Sequence, residues 1–294
     1  MAYVGVIKRT LLAFYDDQMT HHAAALTYYV LMSLFPAALL GLSLLGLLGQ
    51  YPETYNAIVG YLEDVAPASV VDPVDRSLRR ALESKGTATT ALVVSIALTL
   101  YGTTGALEAA RRALNVVFEL KGSGRSFLRR KGIDIVSTFV LLLLVLASLV
   151  LVFVGGRFAE DLLGFLGLGE TVSEVWNLAR WPGAFAAATL AFAYTYYVTP
   201  DVKQRAFRWL TPGAVVGVAL WLLASYAFSS YVSRVADVGA IYGTFAGAIL
   251  LVAWLWITNV TLLFGAELNA EIERAKQVSE GVPQGMPLDR PARG

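Results

Sequence analysis

From Ala240 to Phe264 the chain carries no charged residue. A helix rises about 1.5 Å per residue, so this run can cross a hydrocarbon core of about 30 Å with some tilt. It opens with glycine at every fourth position, Gly239, Gly243 and Gly247. It is followed by a carboxylate, Glu267. A chain holding such a segment has to satisfy every backbone polar group inside the bilayer, and a helix does so within itself.

The run is one of six. Long apolar stretches fall at about 26–48, 87–107, 135–155, 182–199, 212–231 and 240–264. Of the residues, 56% are hydrophobic and 15% charged, where soluble domains carry about a quarter charged. The expected fold is all-α: a polytopic membrane bundle of six transmembrane helices in one domain over 1–275. Residues 276–294, rich in Pro and Gly, read as a disordered cytoplasmic tail. Residues 1–25 hold Asp16, Asp17, His21 and His22 where a signal peptide needs an apolar core, so none is expected there.

Basic residues orient the bundle. With the N-terminus inside, 16 of the 23 Lys and Arg fall in inside segments and 7 outside. That bias predicts a multi-pass protein of the plasma (inner) membrane with both termini in the cytoplasm. The cluster Lys121–Lys131 contributes most, and membrane anchoring accounts for it without nucleic acid. The expected partners are the lipid bilayer and a small-molecule, ion or lipid substrate, with a homo-oligomer an open option.

Metal and thiol chemistry have little to work with. There is no cysteine, and the two histidines, His21 and His22, are adjacent. Neighbours on a helix point about 100° apart, so they cannot share one ion. No metal and no cofactor is expected.

Taken in order, residues 3–19 place Val4, Ile7, Leu11, Phe14 and Tyr15 at helical spacing. This is a helix at the cytoplasmic surface or one packed on the bundle. The first span holds Tyr29, Ser33 and Pro36, and the proline predicts a kink or break near Met32–Phe35. Residues 49–86 read as two short amphipathic helices outside the bilayer. The second span ends with Thr103 and Thr104 between Gly102 and Gly105, glycines that mark either a helix–helix contact or a local unwinding beside a polar cavity. It continues past the membrane through Glu108, Arg111, Arg112 and Asn115.

The third span is the most uniformly apolar and is expected at the lipid-facing periphery. Residues 156–180 read as an acidic outer loop, with Pro182 in the first turn of the fourth span. Fifth and sixth spans form an antiparallel hairpin. In the sixth, Gly239, Gly243 and Gly247 mark a helix-packing face and a third possible break. Tyr242 and Glu267 share the opposite face, and Asn259 is an amide deep in the run that needs a partner. The charged stretch after Glu267 extends as a helix.

Several of these pieces together resemble a known family. Y-x-x-x-S-L-F-P (Tyr29 to Pro36), A-L-N (Ala113 to Asn115), A-I-Y-G-x-F-A (Ala240 to Ala246) and G-A-E (Gly265 to Glu267) stand in the order and spacing of the YihY / virulence factor BrkB family. The resemblance covers about residues 10–275. It implies six spans with cytoplasmic termini, and transport or export roles suggested for some members. It also carries an old ribonuclease BN label regarded as misassigned. It implies no catalytic residue.

The residues therefore point to a transporter or exporter of a small solute, ion or lipid-like molecule. No GxxxxGK[ST] phosphate loop is present, so this chain does not by itself use ATP. The substrate-lining or coupling candidates are Tyr29, Ser33, Pro36, Thr103, Thr104, Glu108, Asn115, Tyr242, Asn259 and Glu267, since interrupted helices and intramembrane polar groups build transport sites. For Glu108 and Glu267 an interfacial ion pair with Arg111, Arg112 or Arg274 is the competing reading. A membrane structural or assembly factor is the alternative function. A nuclease comes last, and no enzymatic activity is expected.

Overall fold

A computed structural model of the chain describes residues 2–47, 85–120, 126–153, 169–201, 211–234 and 245–281. These contain seven α-helices: α1 Ala2–Asp16, α2 Met19–Leu47, α3 Lys85–Val117, α4 Phe127–Phe153, α5 Gly169–Val198, α6 Pro212–Arg234 and α7 Ala246–Ser279. The described residues hold no strand. Three of the helices are long and apolar enough to cross a membrane, those covering Leu128–Ser148, Pro212–Ser233 and Ala246–Ser279. The other expected spans coincide with helical segments of α2, α3 and α5.

Several boundaries differ from the sequence reading. Helix α2 continues through Pro36 to Leu47, and α3 through Gly102 and Gly105 to Val117, so neither site breaks its helix. A proline costs a helix one hydrogen bond, and inside an apolar bundle neighbouring groups compensate the loss. Helix α5 starts at Gly169, inside the expected outer loop, and Pro182 lies in its interior. Val172, Val175, Trp176 and Leu178 supply apolar residues at helical spacing there, and the helix runs on past the proline. Helix α7 reaches Ser279, four residues into the expected tail. The expected helices at 49–84 lie outside the described residues.

The described helices fall into two compact units. One comprises Met1–Ala23, Leu107–Ala224 and Thr258–Gly294, and the other Ala24–Ala106 and Ser225–Ile257.

In the first unit α4 and α5 run antiparallel. Tyr194 and Ser137 hydroxyls meet at 3.3 Å and Ser148 donates to the Ala184 carbonyl at 3.2 Å. Val136, Phe139, Leu143 and Leu146 of α4 are all exposed, at spacings of three and four, in keeping with a peripheral helix. Helices α6 and α7 cross at their glycines. A Cβ on Gly213 would stand 2.0 Å from the Gly265 carbonyl oxygen, and one on Gly265 would stand 2.5 Å from the Tyr196 hydroxyl. Only hydrogen fits at that approach, as in small-residue packing of membrane helices. Asn269, one turn beyond Gly265, accepts from the Gly213 amide at 2.8 Å and donates to Thr211 at 2.9 Å. It thus caps the N-terminus of α6 from another helix.

Helix α1 packs on this unit through Val6, Thr10 and Phe14, with the Phe14 and Phe264 ring centroids 5.9 Å apart. Ile7, Leu11 and Tyr15 on the adjacent face are exposed. The helix thus packs on its neighbours, as one of the two readings expected, and carries an exposed apolar stripe beside that contact.

In the second unit α2 and α3 pack antiparallel. A Cβ on Gly102 would lie 2.7 Å from the Ser33 Cα, and one on Gly105 2.4 Å from the Tyr29 ring. The glycines beside Thr103 and Thr104 are close-packing positions.

Candidate functional site

Ionisable side chains gather where the ends of six helices meet in the first unit. The centre of the first group is Arg111, 2% exposed. It lies in the buried stripe of α3 with Leu107 and Leu114, and with Phe118 just past the helix, whereas Arg112 points outward. Its guanidinium donates to Glu108 at 2.5 Å and to Asp134 near the start of α4. Its Nε donates to the Thr199 carbonyl at 3.3 Å and lies 4.0 Å from Asp201, just past α5. Asn115 completes the group: its Oδ1 accepts from the Asp201 amide at 3.1 Å and its Nδ2 donates to the Asp201 carboxylate at 3.5 Å. One planar fork therefore joins the ends of α3, α4 and α5, a geometry that lysine could not supply.

The second group surrounds the C-terminal half of α7. That helix has 34 residues, about 51 Å at 1.5 Å per residue, so it outreaches a hydrocarbon core of about 30 Å. Glu267 follows the apolar run and is 0% exposed. Neither of its carboxylate oxygens has a hydrogen-bond donor. Burial and the neighbouring Asp17 carboxylate push its pKa up to about 9. Asp17 sits in the two-residue turn between α1 and α2, where Gln18 takes a left-handed φ of 52°. Glu271, one turn on, is bound by Arg9 at 3.2 Å and by Arg274. Arg274 also donates to Glu119 at 2.8 Å and to the Val117 carbonyl at 3.2 Å.

Of the residues singled out from sequence, Glu108 and Asn115 join the Arg111 group, and Glu267 centres the second group. Glu108 also contacts Arg112 at 3.6 Å, so its ion-pair reading holds. For Glu267 no cation donates to its carboxylate, and Arg274 acts on it only through its charge, against the larger effect of burial.

Tyr29, Ser33, Thr103 and Thr104 belong to the second unit, where the three hydroxyls of Ser33, Thr103 and Thr104 turn back to the Val30, Thr99 and Tyr101 carbonyls. Pro36 lies within α2. Asn259 is buried. Of the expected packing glycines, Gly247 is exposed, while Gly239 and Gly243 lie outside the described residues with Tyr242. The close contact on that face of α7 is made instead by Gly265, two residues before Glu267.

Sequence reading passed over Asp17, Asp134, Asp201, Glu271 and Asn269 as site residues, and took Arg111 only as a partner for Glu108. One signal was present. Arg111 falls in the apolar stripe of its helix, and a charge on such a stripe needs buried counter-charges.

Helices with exposed apolar stripes, bundled at their ends by buried charges, define an all-helical membrane protein. Comparison with known proteins agrees. The family model described as "Virulence factor BrkB" matches residues 10–287, and the chain belongs to that family. It is 29% identical to the "Putative ribonuclease-like protein YfkH" of Bacillus subtilis, over 89% of this chain and 92% of that one. It is 24% identical to a "UPF0761 membrane protein" of Xanthomonas campestris, over 92% of this chain and 61% of that one. A "UPF0761 membrane protein" of Xanthomonas oryzae is 25% identical, over 88% and 58%. The chain thus spans about three fifths of these longer Xanthomonas relatives. No solved structure matches.

Proposed function

We propose that this protein is a six-span inner-membrane transporter or exporter of a small solute, ion or lipid-like molecule, with both termini in the cytoplasm. The observation that carries the reading is Glu267, a fully buried carboxyl with no hydrogen-bond donor, directly after a membrane-length apolar run. Ionisable groups at such positions are expensive, and proteins that keep them use them for ion or substrate movement. No phosphate-loop motif is present in the chain, so the driving force would be an ion gradient or the gradient of the solute itself.

The Arg111 group favours a second reading. It ties three helix ends together, as a membrane structural or assembly factor needs. Flux separates the two. Purified protein in liposomes is assayed for movement of protons, Na⁺ and candidate metabolites, with Glu267→Gln and Glu108→Gln beside the wild type. Flux that falls in Glu267→Gln supports transport. No flux of any tested solute, with both variants indistinguishable from wild type, removes it in favour of the structural role.

A further inference from the structure

Helix α1 divides into three sides. At about 100° per residue, Val6, Thr10 and Phe14 share one side, Ile7, Leu11 and Tyr15 the next, and Asp16 and Arg9 the third. The first side is packed: Val6 and Thr10 are buried, and the Phe14 ring meets that of Phe264. The second is open, with Ile7, Leu11 and Tyr15 53%, 56% and 82% exposed. Lys8 stands beside Tyr15 on that side and is exposed as well.

Two contacts with α7 show which way the open side is turned. Phe264 ends the uncharged run, and Glu271 lies about 10 Å further along the helix axis. Phe264 meets Phe14, which borders the Ile7 side of α1. Glu271 meets Arg9, on the Asp16 side, at 3.2 Å. The apolar side of α1 is therefore turned towards the apolar run of α7, and its polar side towards the charged extension.

The residues on the open side separate a lipid cover from a protein one. Lysine is depleted at the centre of protein interfaces, where its ammonium has to be desolvated. At the boundary between headgroups and acyl chains it lays its stem along the apolar surface and keeps its charge at the phosphates. Tyr15 suits the same boundary, with a ring for the acyl chains and a hydroxyl for water.

We propose that α1 is an interfacial helix, with Ile7, Leu11 and Tyr15 among the acyl chains of the leaflet next to the charged end of α7, and Lys8 at the headgroup phosphates. Membership of a membrane-protein family supplies the bilayer, and the transport reading is not needed. The leaflet then holds in place the helix that brings Arg9 to Glu271.

The chain has no cysteine, so single cysteines report cleanly. Ile7→Cys, Leu11→Cys, Tyr15→Cys and Asp16→Cys are made in the full-length protein, spin-labelled and reconstituted in vesicles of phosphatidylcholine and phosphatidylglycerol. All these positions are exposed, so the labels leave the packed side of α1 intact. Power saturation compares access of oxygen, which concentrates among acyl chains, with access of a water-soluble nickel chelate. The labels at 7, 11 and 15 are expected to favour oxygen, and the label at 16 nickel. Lys8→Glu, added to the Leu11→Cys chain, is expected to shift that label towards nickel. The proposal is overturned if nickel reaches 7, 11 and 15 as freely as 16, because water then covers the stripe. It is overturned equally if both reagents are excluded there. Spin–spin broadening would then identify a second copy as the cover, and its absence another part of the chain. A Leu11 label unmoved by Lys8→Glu removes the phosphate contact.

Discussion

Arg111 and Asp134, 23 residues apart in sequence, form an ion pair whose side chains are 2% and 3% exposed. Arg111 is also the point through which Glu108, Asp201 and the end of α5 are held. Removing it leaves buried carboxylates without a counter-charge. Arg111→Met should cost about 3–5 kcal/mol, the range for breaking one side of a buried pair. Arg111→Lys should recover only part, since an ammonium cannot reach several acceptors in one plane. Thermal unfolding in detergent measures both. An Arg111→Met variant as stable as wild type would remove the central role of this group.

The α2–α3 contact gives a steric prediction. Gly105→Ala drives a methyl into the Tyr29 ring, at 2.4 Å before relaxation. Overpacking of this kind costs about 1–3 kcal/mol. Tyr29→Ala in the same chain should relieve the added clash, so the double variant should be more stable than the sum of the two single changes. Strict additivity of the unfolding energies would argue against the contact.

Helix α3 ends with Glu119 in a left-handed conformation, φ 55°. The Leu120 amide donates to the Asn115 carbonyl and the Glu119 amide to that of Val116, the Schellman pattern. Glycine is the residue that adopts this conformation without strain. Glu119→Ala keeps the strain and loses the 2.8 Å bond from Arg274. Glu119→Gly loses the same bond and sheds the strain. Chemical unfolding should place the glycine variant about 1 kcal/mol above the alanine variant, and the reverse order would contradict the cap.

Much of this was legible in the sequence, and what was missed shares one cause. The apolar runs, the extended α3, the helix α1 and the charged extension of α7 follow from local patterns, and each appears as a helix. Of the two readings of Gly102 and Gly105, contact with a neighbouring helix holds and local unwinding does not, since α3 runs through both. Gly102 and Gly105 serve Ser33 and Tyr29, a relation visible only once α2 and α3 are side by side. Asp134 and Asp201 are ordinary acids at span ends until packing puts both beside Arg111.

The Glu267 carboxyl predicts an unusual dependence of stability on pH. Its native pKa is raised from 4.5 to about 9, so between these values the folded chain keeps a proton that the unfolded chain has lost. The contribution to stability is fullest below 4.5 and is lost as pH climbs towards 9, the opposite of a salt-bridged acid. The slope is at most about 1.4 kcal/mol per pH unit for one proton. Melting temperatures of wild type should fall through this window while those of Glu267→Gln stay flatter. Parallel profiles would show that Glu267 is ionised when folded.

The most direct measurement is proton movement itself. Proteoliposomes carrying a pH-sensitive dye are given a pH step with candidate solutes present, and the internal pH is followed. Wild-type protein should carry protons inward faster than protein-free liposomes, with a rate that depends on one of the solutes. Glu267→Gln, reconstituted to the same density, should fall to the protein-free rate. Equal rates for wild type and Glu267→Gln, both above the protein-free rate, would contradict a role for this carboxyl in transport.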